Sequence, residues 1–269
     1  MRILNPLFEK RLIIGGLPRA GTTLLRVILD ATPDYVAGPE TAFFLRPLDE
    51  QKARLARTAA RVDRALGLGE DVVARTILES RSSLACFDRL MELYATRAGL
   101  TKKGWAEKTP RNCLVYRELH DSFPELRFIS MIRDGRDVVT SIVSGRTEYH
   151  VTIDRYVESL EAIYSFQVEN HLVIRYEDLV GDTRRTLERV AAFAGTVIDE
   201  RVIELSRQSS VTRDPTRVHQ PKVQEPISTS WVGRWRDARH TDRINEFCAH
   251  AEAMRWLERT GYEAAGSIA

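Results

Sequence analysis

The chain has 269 residues, enough to bury the core of one α/β domain, and its 43% hydrophobic and 29% charged residues are ordinary for a globular protein. Forty lysines and arginines nearly balance 38 aspartates and glutamates, so the formal charge of +2 argues against bulk nucleic-acid binding but leaves room for a local anion site. Three scattered cysteines (Cys86, Cys113, Cys248) without a C-x-x-C, and six histidines without an H-E-x-x-H, argue against a disulfide framework or a metal site.

Residues 11–25, RLIIGGLPRAGTTLL, read as a buried strand, a glycine turn and a helix start. Such a turn points backbone N–H groups and a helix dipole at one small anion. Gly16 and Gly21 have the spacing of a Walker A loop, but Thr22 and Thr23 stand where its lysine and hydroxyl belong. The loop therefore suits a phosphate whose transferred end carries less charge than the γ-phosphate of ATP. The first helix spans residues 22–31 and stops before Pro33. Glu40-Thr41 follows, with aromatic Tyr35, Phe43 and Phe44 nearby that read as core.

Residues 48–100 are helical in pattern and rich in arginine, and contain no convincing strand. They read as a helical insertion with a solvated arginine face. A short strand is predicted at 104–106, and longer ones at 127–132 and 171–176. Helical stretches between them give βα units and a mostly parallel sheet. Arg133 ends the 127–132 strand, in the crevice where doubly wound sheets bind ligands, and Ser141 follows on the next predicted helix. An arginine with a serine suits a second phosphate monoester. Asp182 is a predicted N-cap for a helix ending near Gly195. Residues 206–231 carry three prolines and little periodicity, and read as an irregular lid. One last helix, capped by Thr241 or Asp242, carries Ile244, Phe247, Ala251, Met254 and Leu257 on one face and ends before Gly261. No apolar run approaches the ~20 residues that span a bilayer and the start lacks a secretory signal, so the expected location is the cytoplasm.

Two phosphate sites at neighbouring strand ends describe a nucleotide phosphorylated at both ends of its ribose. With PRAGTTL (18–24), EKTP (107–110), RDGRDVVTS (133–141), RYEDLV (175–180) and GRW (233–235) in this order, the chain resembles the sulfotransferases that use 3′-phosphoadenosine 5′-phosphosulfate (PAPS). Its first block, through Glu40-Thr41, is most similar to the tyrosylprotein sulfotransferase branch.

The resemblance implies one domain over 1–269 with an α/β, P-loop-type three-layer fold, a central mostly parallel sheet and a helical insertion. It implies PAPS as donor, 3′-phosphoadenosine 5′-phosphate (PAP) as product, and no metal. Ala20, Gly21, Thr22 and Thr23 would hold the 5′-phosphosulfate, and Arg133 and Ser141 the 3′-phosphate. Tyr176 would lie near the adenine, and Arg234 would reach the donor phosphates. Arg19 and Lys108 would supply cations at the reacting group, and Glu40 would be the base. Ala20 replaces the family's usual serine, and Pro39 stands where the tyrosylprotein branch is acidic. The acceptor is a small molecule, a carbohydrate or a peptide tyrosine; neither it nor the oligomeric state is encoded in these motifs. Two other readings are an atypical P-loop kinase, with Asp134 on Mg²⁺, and a nucleotide-binding module without turnover.

Overall fold

The structure, a computed structural model, describes residues 8–142, 147–213 and 225–263, with the backbone alone over 208–213. Five parallel strands form one sheet in the order β2-β3-β1-β4-β5. β1 (Lys10–Gly16) is central, between β3 (Gly104–Lys108) and β4 (Arg127–Ile132). Leu12, Ile13 and Ile14 are wholly buried, as expected of an apolar run covered on both sheet faces. β5 (His171–Arg175) pairs with β4 on one side, and β2 (Tyr35–Val36) with β3 on the other. β2 lies outside the predicted strands. At two residues it shows no periodicity, and its place is fixed from afar: the N–H groups of Lys103 and Gly104 donate to the Asp34 carbonyl (3.0 and 2.9 Å), and the Tyr35 hydroxyl to that of Ala194 (2.7 Å).

The first helix, α1, spans Thr22–Ala31 as its cap signals predict. The insertion is four helices, α2 (Leu48–Ala53), α3 (Leu55–Leu66), α4 (Glu70–Glu79) and α5 (Ser83–Arg97). One carboxylate, Asp88 on α5, ties it to the sheet. It accepts from Arg11 Nε and Nη2 of β1 (2.9 and 2.6 Å) and from Trp105 Nε1 of β3 (2.7 Å). Phe43, Phe44, Phe87 and Trp105 pack into one ring cluster around that junction, so the phenylalanines are core, as expected. Arg57, Arg64, Arg75 and Arg89 lie on an exposed face, but Arg61 is half-buried.

Beyond β3 come α6 (Tyr116–Ser122), then α7 (Gly135–Val139) and α8 (Ile153–Ser165) between β4 and β5. α9 (Tyr176–Gly181) follows β5, then α10 (Thr183–Ala194), which Asp182 caps through Arg185 N (3.3 Å) and left-handed Gly195 ends. Two expectations need correction. Residues 206–213 are not irregular: they complete α11 (Glu200–Arg213). Residues 214–224 of the expected lid lie outside the described residues. The last helix is two, α12 (Thr241–Ala249) and α13 (Ala251–Arg259). His250 breaks the run in extended conformation and caps α13, its Nδ1 accepting from Ala253 N (3.3 Å). Neither Thr241 nor Asp242 caps α12, and Ala253 takes the buried place expected of Ala251. Gly261 does sit past the end of α13 at positive φ.

The turn after β1 is the tightest point of this frame. Gly16 has φ +122°, and a Cβ there would lie 2.2 Å from the Met131 carbonyl oxygen, a backbone atom that cannot yield cheaply. Gly99 also has positive φ (+66°) but has nothing within 4 Å. Gly16→Ala should cost about 3 kcal/mol or more in urea unfolding, and Gly99→Ala about 1 kcal/mol. Equal losses would show that the close approach to β4 is not a constraint.

Candidate active site

The C-terminal ends of β3, β1 and β4 are adjacent, and the residues singled out by the sequence collect there. After Gly16 the chain turns, Leu17 N donating to Met131 O of β4 (2.9 Å) and Ala20 N to Leu17 O (3.3 Å). Ala20 is fully buried in the core, and its N–H is turned back into this loop. Arg19 (φ +66°) and Gly21 (φ +84°) are both left-handed, a conformation that strains arginine by roughly 1–2 kcal/mol. Gly21 precedes α1 and no side chain caps that helix, so the first N–H groups, at Thr22 and Thr23, have no partner within the helix. The open N–H groups and the helix dipole favour an anion here.

Arg133 follows β4 and turns into the same corner, almost fully buried. Its Nη1 donates to the Arg19 carbonyl (2.9 Å) and its Nη2 to that of Trp231, with Asp137 Oδ2 3.5 Å away. Its guanidinium lies 4.4 Å over the Tyr176 ring, and its Nε is buried with no hydrogen-bond partner among the described residues. Tyr176, the first residue of α9, packs on the loop so closely that a Cβ on Gly21 would meet its ring at 2.7 Å. Burial, and then the charge of Arg133, pull Arg19 below the ordinary guanidinium range. Burial pushes the Tyr176 phenol up. Ser141 is not on α7, which ends at Val139, but just beyond it, and its hydroxyl accepts from Arg19 Nε (2.8 Å). Arg19 therefore bridges the glycine loop and the Ser141 segment.

Asp137 organises this corner and was not singled out by the sequence reading. Its Oδ2 accepts from Gly233 N (2.8 Å) and its Oδ1 from Trp235 N (2.9 Å), fastening the GRW segment to α7 beside Arg133. Burial pushes its carboxyl up, while Arg133 and the two N–H groups hold it down. Its position four residues after Arg133 was the available signal. Arg136 lies 4.1 Å over the Trp235 ring. Arg234 itself is exposed, 5.2 Å over the ring of Trp231, whose carbonyl Arg133 engages. Asp134 is fully engaged: its Oδ1 accepts from Arg136 N and Nε (2.9 and 3.0 Å) and its Oδ2 from Arg136 Nη2 (2.8 Å). A carboxylate so committed to its own helix turn gives the kinase reading no support.

On the other side of the loop, Lys108 ends β3 with its Nζ 2.7 Å from Glu40 Oε2. The lysine side chain is 6% exposed and the glutamate 48%, so a buried cation holds a solvent-accessible carboxylate. Glu107 is the hidden fixture beneath this pair. Fully buried, it accepts from the hydroxyls of Thr41 and Thr109 (each 2.8 Å) and from the Asn112 amide. Thr109 Oγ1 in turn accepts from Ala42 N (3.0 Å). The residues following Glu40 and Lys108 are thus pinned to one buried carboxyl, which burial first, and Glu40 last, push above the usual carboxylate range. Cys86 and Cys113 are buried, and burial pushes both thiols up to about 11, so neither is a nucleophile at neutral pH.

Replacing Glu107 with alanine removes the acceptor of four donors: the hydroxyl and N–H of Thr41, the Thr109 hydroxyl and the Asn112 amide. Glu107→Ala should lower stability by about 3 kcal/mol in urea unfolding. A loss below about 1 kcal/mol would mean that the carboxyl does not hold the two threonines.

No described helix is long and apolar enough to cross a membrane. The chain is 25% identical over 270 residues to protein-tyrosine sulfotransferase 2 of Gallus gallus, covering 94% of this chain and 69% of that protein. It is 26% identical over 241 residues to protein-tyrosine sulfotransferase 1 of Danio rerio, covering 83% and 65%, and so spans about two thirds of these relatives. In fold it is similar to the sulfotransferase domain from the Synechococcus PCC 7002 olefin synthase (TM-score 0.65, 18% identity, 94% of each chain). It is also similar to the sulfotransferase domain from the curacin biosynthetic pathway (TM-score 0.61, 17% identity, 96% and 99% covered). The model of the sulfotransferase family matches residues 11–200, and with that match the chain belongs to the sulfotransferase family.

Proposed function

We propose that this chain transfers a sulfuryl group from PAPS to an acceptor hydroxyl or amine by in-line displacement, with Glu40 taking the acceptor proton. The observation that carries this reading is the convergence, at the ends of three adjacent strands, of an uncapped helix start, buried Arg133 with half-buried Arg19, and the Glu40–Lys108 pair. The N–H groups and hydroxyls of Thr22 and Thr23, with Gly21, bind the 5′-phosphosulfate. Arg133 and Ser141 bind the 3′-phosphate, Tyr176 packs near the adenine, and Arg234 covers the phosphates. The Nε of Arg133, without a hydrogen-bond partner among the described residues, fits such a ligand, since a buried arginine nitrogen calls for an acceptor.

Sulfuryl transfer breaks the bond between sulfur and the PAP phosphate oxygen and forms one to the acceptor oxygen. Negative charge builds on the departing phosphate and the proton leaves the acceptor. Arg19 and Lys108 supply positive charge for the first, and Glu40, open to solvent, receives the second. The transferred group carries one negative charge, which fits a loop without the Walker lysine. The relatives are named for protein tyrosine, so a phenolic hydroxyl belongs to the acceptor class, alongside small-molecule and carbohydrate hydroxyls.

Glu40→Gln keeps the shape of the side chain and removes its basicity. Turnover, followed as transfer of labelled sulfuryl from PAPS to a panel of phenol and sugar acceptors, should fall by roughly 10²-fold or more. PAP affinity should stay within about twofold, because Glu40 touches the acceptor side. Near-wild-type turnover would remove Glu40 as the base.

A further inference from the structure

α13 ends in a defined stop. Gly261 has φ +78°, its N–H donates to Glu258 O (2.9 Å), and Tyr262 N donates to Leu257 O (3.1 Å). This pairing past a left-handed glycine is a Schellman stop, and it fixes the direction in which Tyr262 leaves the helix. Tyr262 is buried, with the Arg175 guanidinium 4.2 Å over its ring. Its hydroxyl donates to Glu177 Oε2 (2.6 Å), and Glu177 Oε1 accepts from Asp134 N (3.0 Å). That N–H belongs to the peptide joining Arg133 to Asp134, ahead of the first turn of α7. Glu177 is next in the chain to Tyr176, on whose ring the Arg133 guanidinium lies. The first two residues of α9 therefore hold Arg133 at both ends, Tyr176 at the guanidinium and Glu177 at the backbone. Burial pushes the Glu177 carboxyl up, while Tyr262 and the Asp134 N–H hold it down. Burial, and then the charge of Glu177, push the Tyr262 phenol up, so it keeps its proton and donates. One residue past Asp134 the turn is closely packed: a Cβ on Gly135 would meet the Tyr156 ring at 2.5 Å and the Phe247 ring at 2.7 Å. Packing of that kind fixes position without direction, whereas a hydrogen bond also sets the rotation of the peptide it holds.

We infer that Tyr262, acting through Glu177, is a positioning residue for recognition of the donor's 3′-phosphate: the Tyr262–Glu177–Asp134 relay sets the Arg133–Asp134 peptide, and with it the direction in which the Arg133 guanidinium meets that phosphate. The inference rests on the sulfuryl-transfer reading and deepens it, because selection of the 3′-phosphate then depends on a residue beyond α13 as well as on the strand ends. Tyr262 acts at one remove, two hydrogen bonds away from the Arg133 backbone.

The test compares PAP with adenosine 5′-monophosphate, which lacks only the 3′-phosphate. PAP is titrated by calorimetry, and the monophosphate is measured by its displacement of PAP. Tyr262→Phe keeps the ring over Arg175 and removes the hydroxyl. It should weaken PAP by about fivefold or more and leave the monophosphate within about twofold, so that discrimination for the 3′-phosphate falls. Glu177→Gln should lower the same ratio, and it carries the test if Tyr262→Phe folds poorly in urea unfolding. In an Arg133→Ala background, Tyr262→Phe should change PAP affinity by less than about twofold, because the two residues act through one contact. A general loosening of the fold would weaken both nucleotides alike and would add to the loss from Arg133→Ala. Unchanged PAP affinity in both single variants, equal losses for the two nucleotides, or additivity with Arg133→Ala would overturn the inference. Absence of PAP binding by the unaltered protein would instead overturn the sulfuryl-transfer reading.

Discussion

Two guanidinium groups, half-buried Arg19 and buried Arg133, share one corner at the ends of β1 and β4, and the rest of the site is arranged around them. Burial and the charge of Arg133 both act against Arg19. The fold answers with partial compensation: backbone carbonyls of Arg19 and Trp231 for Arg133, the Ser141 hydroxyl for Arg19, and Asp137 at 3.5 Å. None of these fully neutralises the pair, because Asp137 also accepts from Gly233 and Trp235. Arg19 is also strained in its backbone, at positive φ. A corner held in this state is preorganised for an anionic ligand, and the uncapped start of α1 points into the same need.

Strand order turns local features into one site. β1 lies between β3 and β4, so the glycine loop is flanked by Lys108 on one side and Arg133 on the other. Each flank has its own buried acid. Asp137 draws the GRW segment against α7, and Glu107 draws the Thr41 and Thr109 segments together beneath the Glu40–Lys108 pair. The two acids do similar work by similar means, since a buried carboxyl with several donors is costly to leave unpaired and so fixes its partners tightly. The result is one flank built on arginine and backbone N–H groups, and another built on a lysine-held glutamate.

Much of this was legible in the sequence, and the reason is locality. The glycine spacing of the loop, the apolar run before Arg133, the Asp182 cap and the left-handed Gly195 are short-range signals, and each matches the described element. What escaped depends on distant partners or weak periodicity. β2 has two residues and exists through Asp34 and β3. The apolar spacing over 241–259 runs straight through His250, so the break there is invisible to a helical pattern. α11 lacks a clear apolar stripe, which hid the helix over 206–213. Ser141 counted as helical because its distance from Arg133 suits a helix, whereas α7 stops two residues short of it. Glu107 and Asp137 were visible only as motif letters, because their donors lie up to 98 residues away in the chain.

The central claim is that this corner binds a nucleotide phosphorylated at both ends of its ribose, through Arg133 and without help from a metal. Calorimetric titration with PAP, with and without Mg²⁺, on the unaltered protein and on Arg133→Ala, tests it most directly. The account predicts tight binding that Mg²⁺ leaves unchanged and that falls by at least about a hundredfold in the variant, as loss of a buried charge-assisted contact requires. Binding of ATP with Mg²⁺ in place of PAP, or PAP binding indifferent to Arg133, would contradict it.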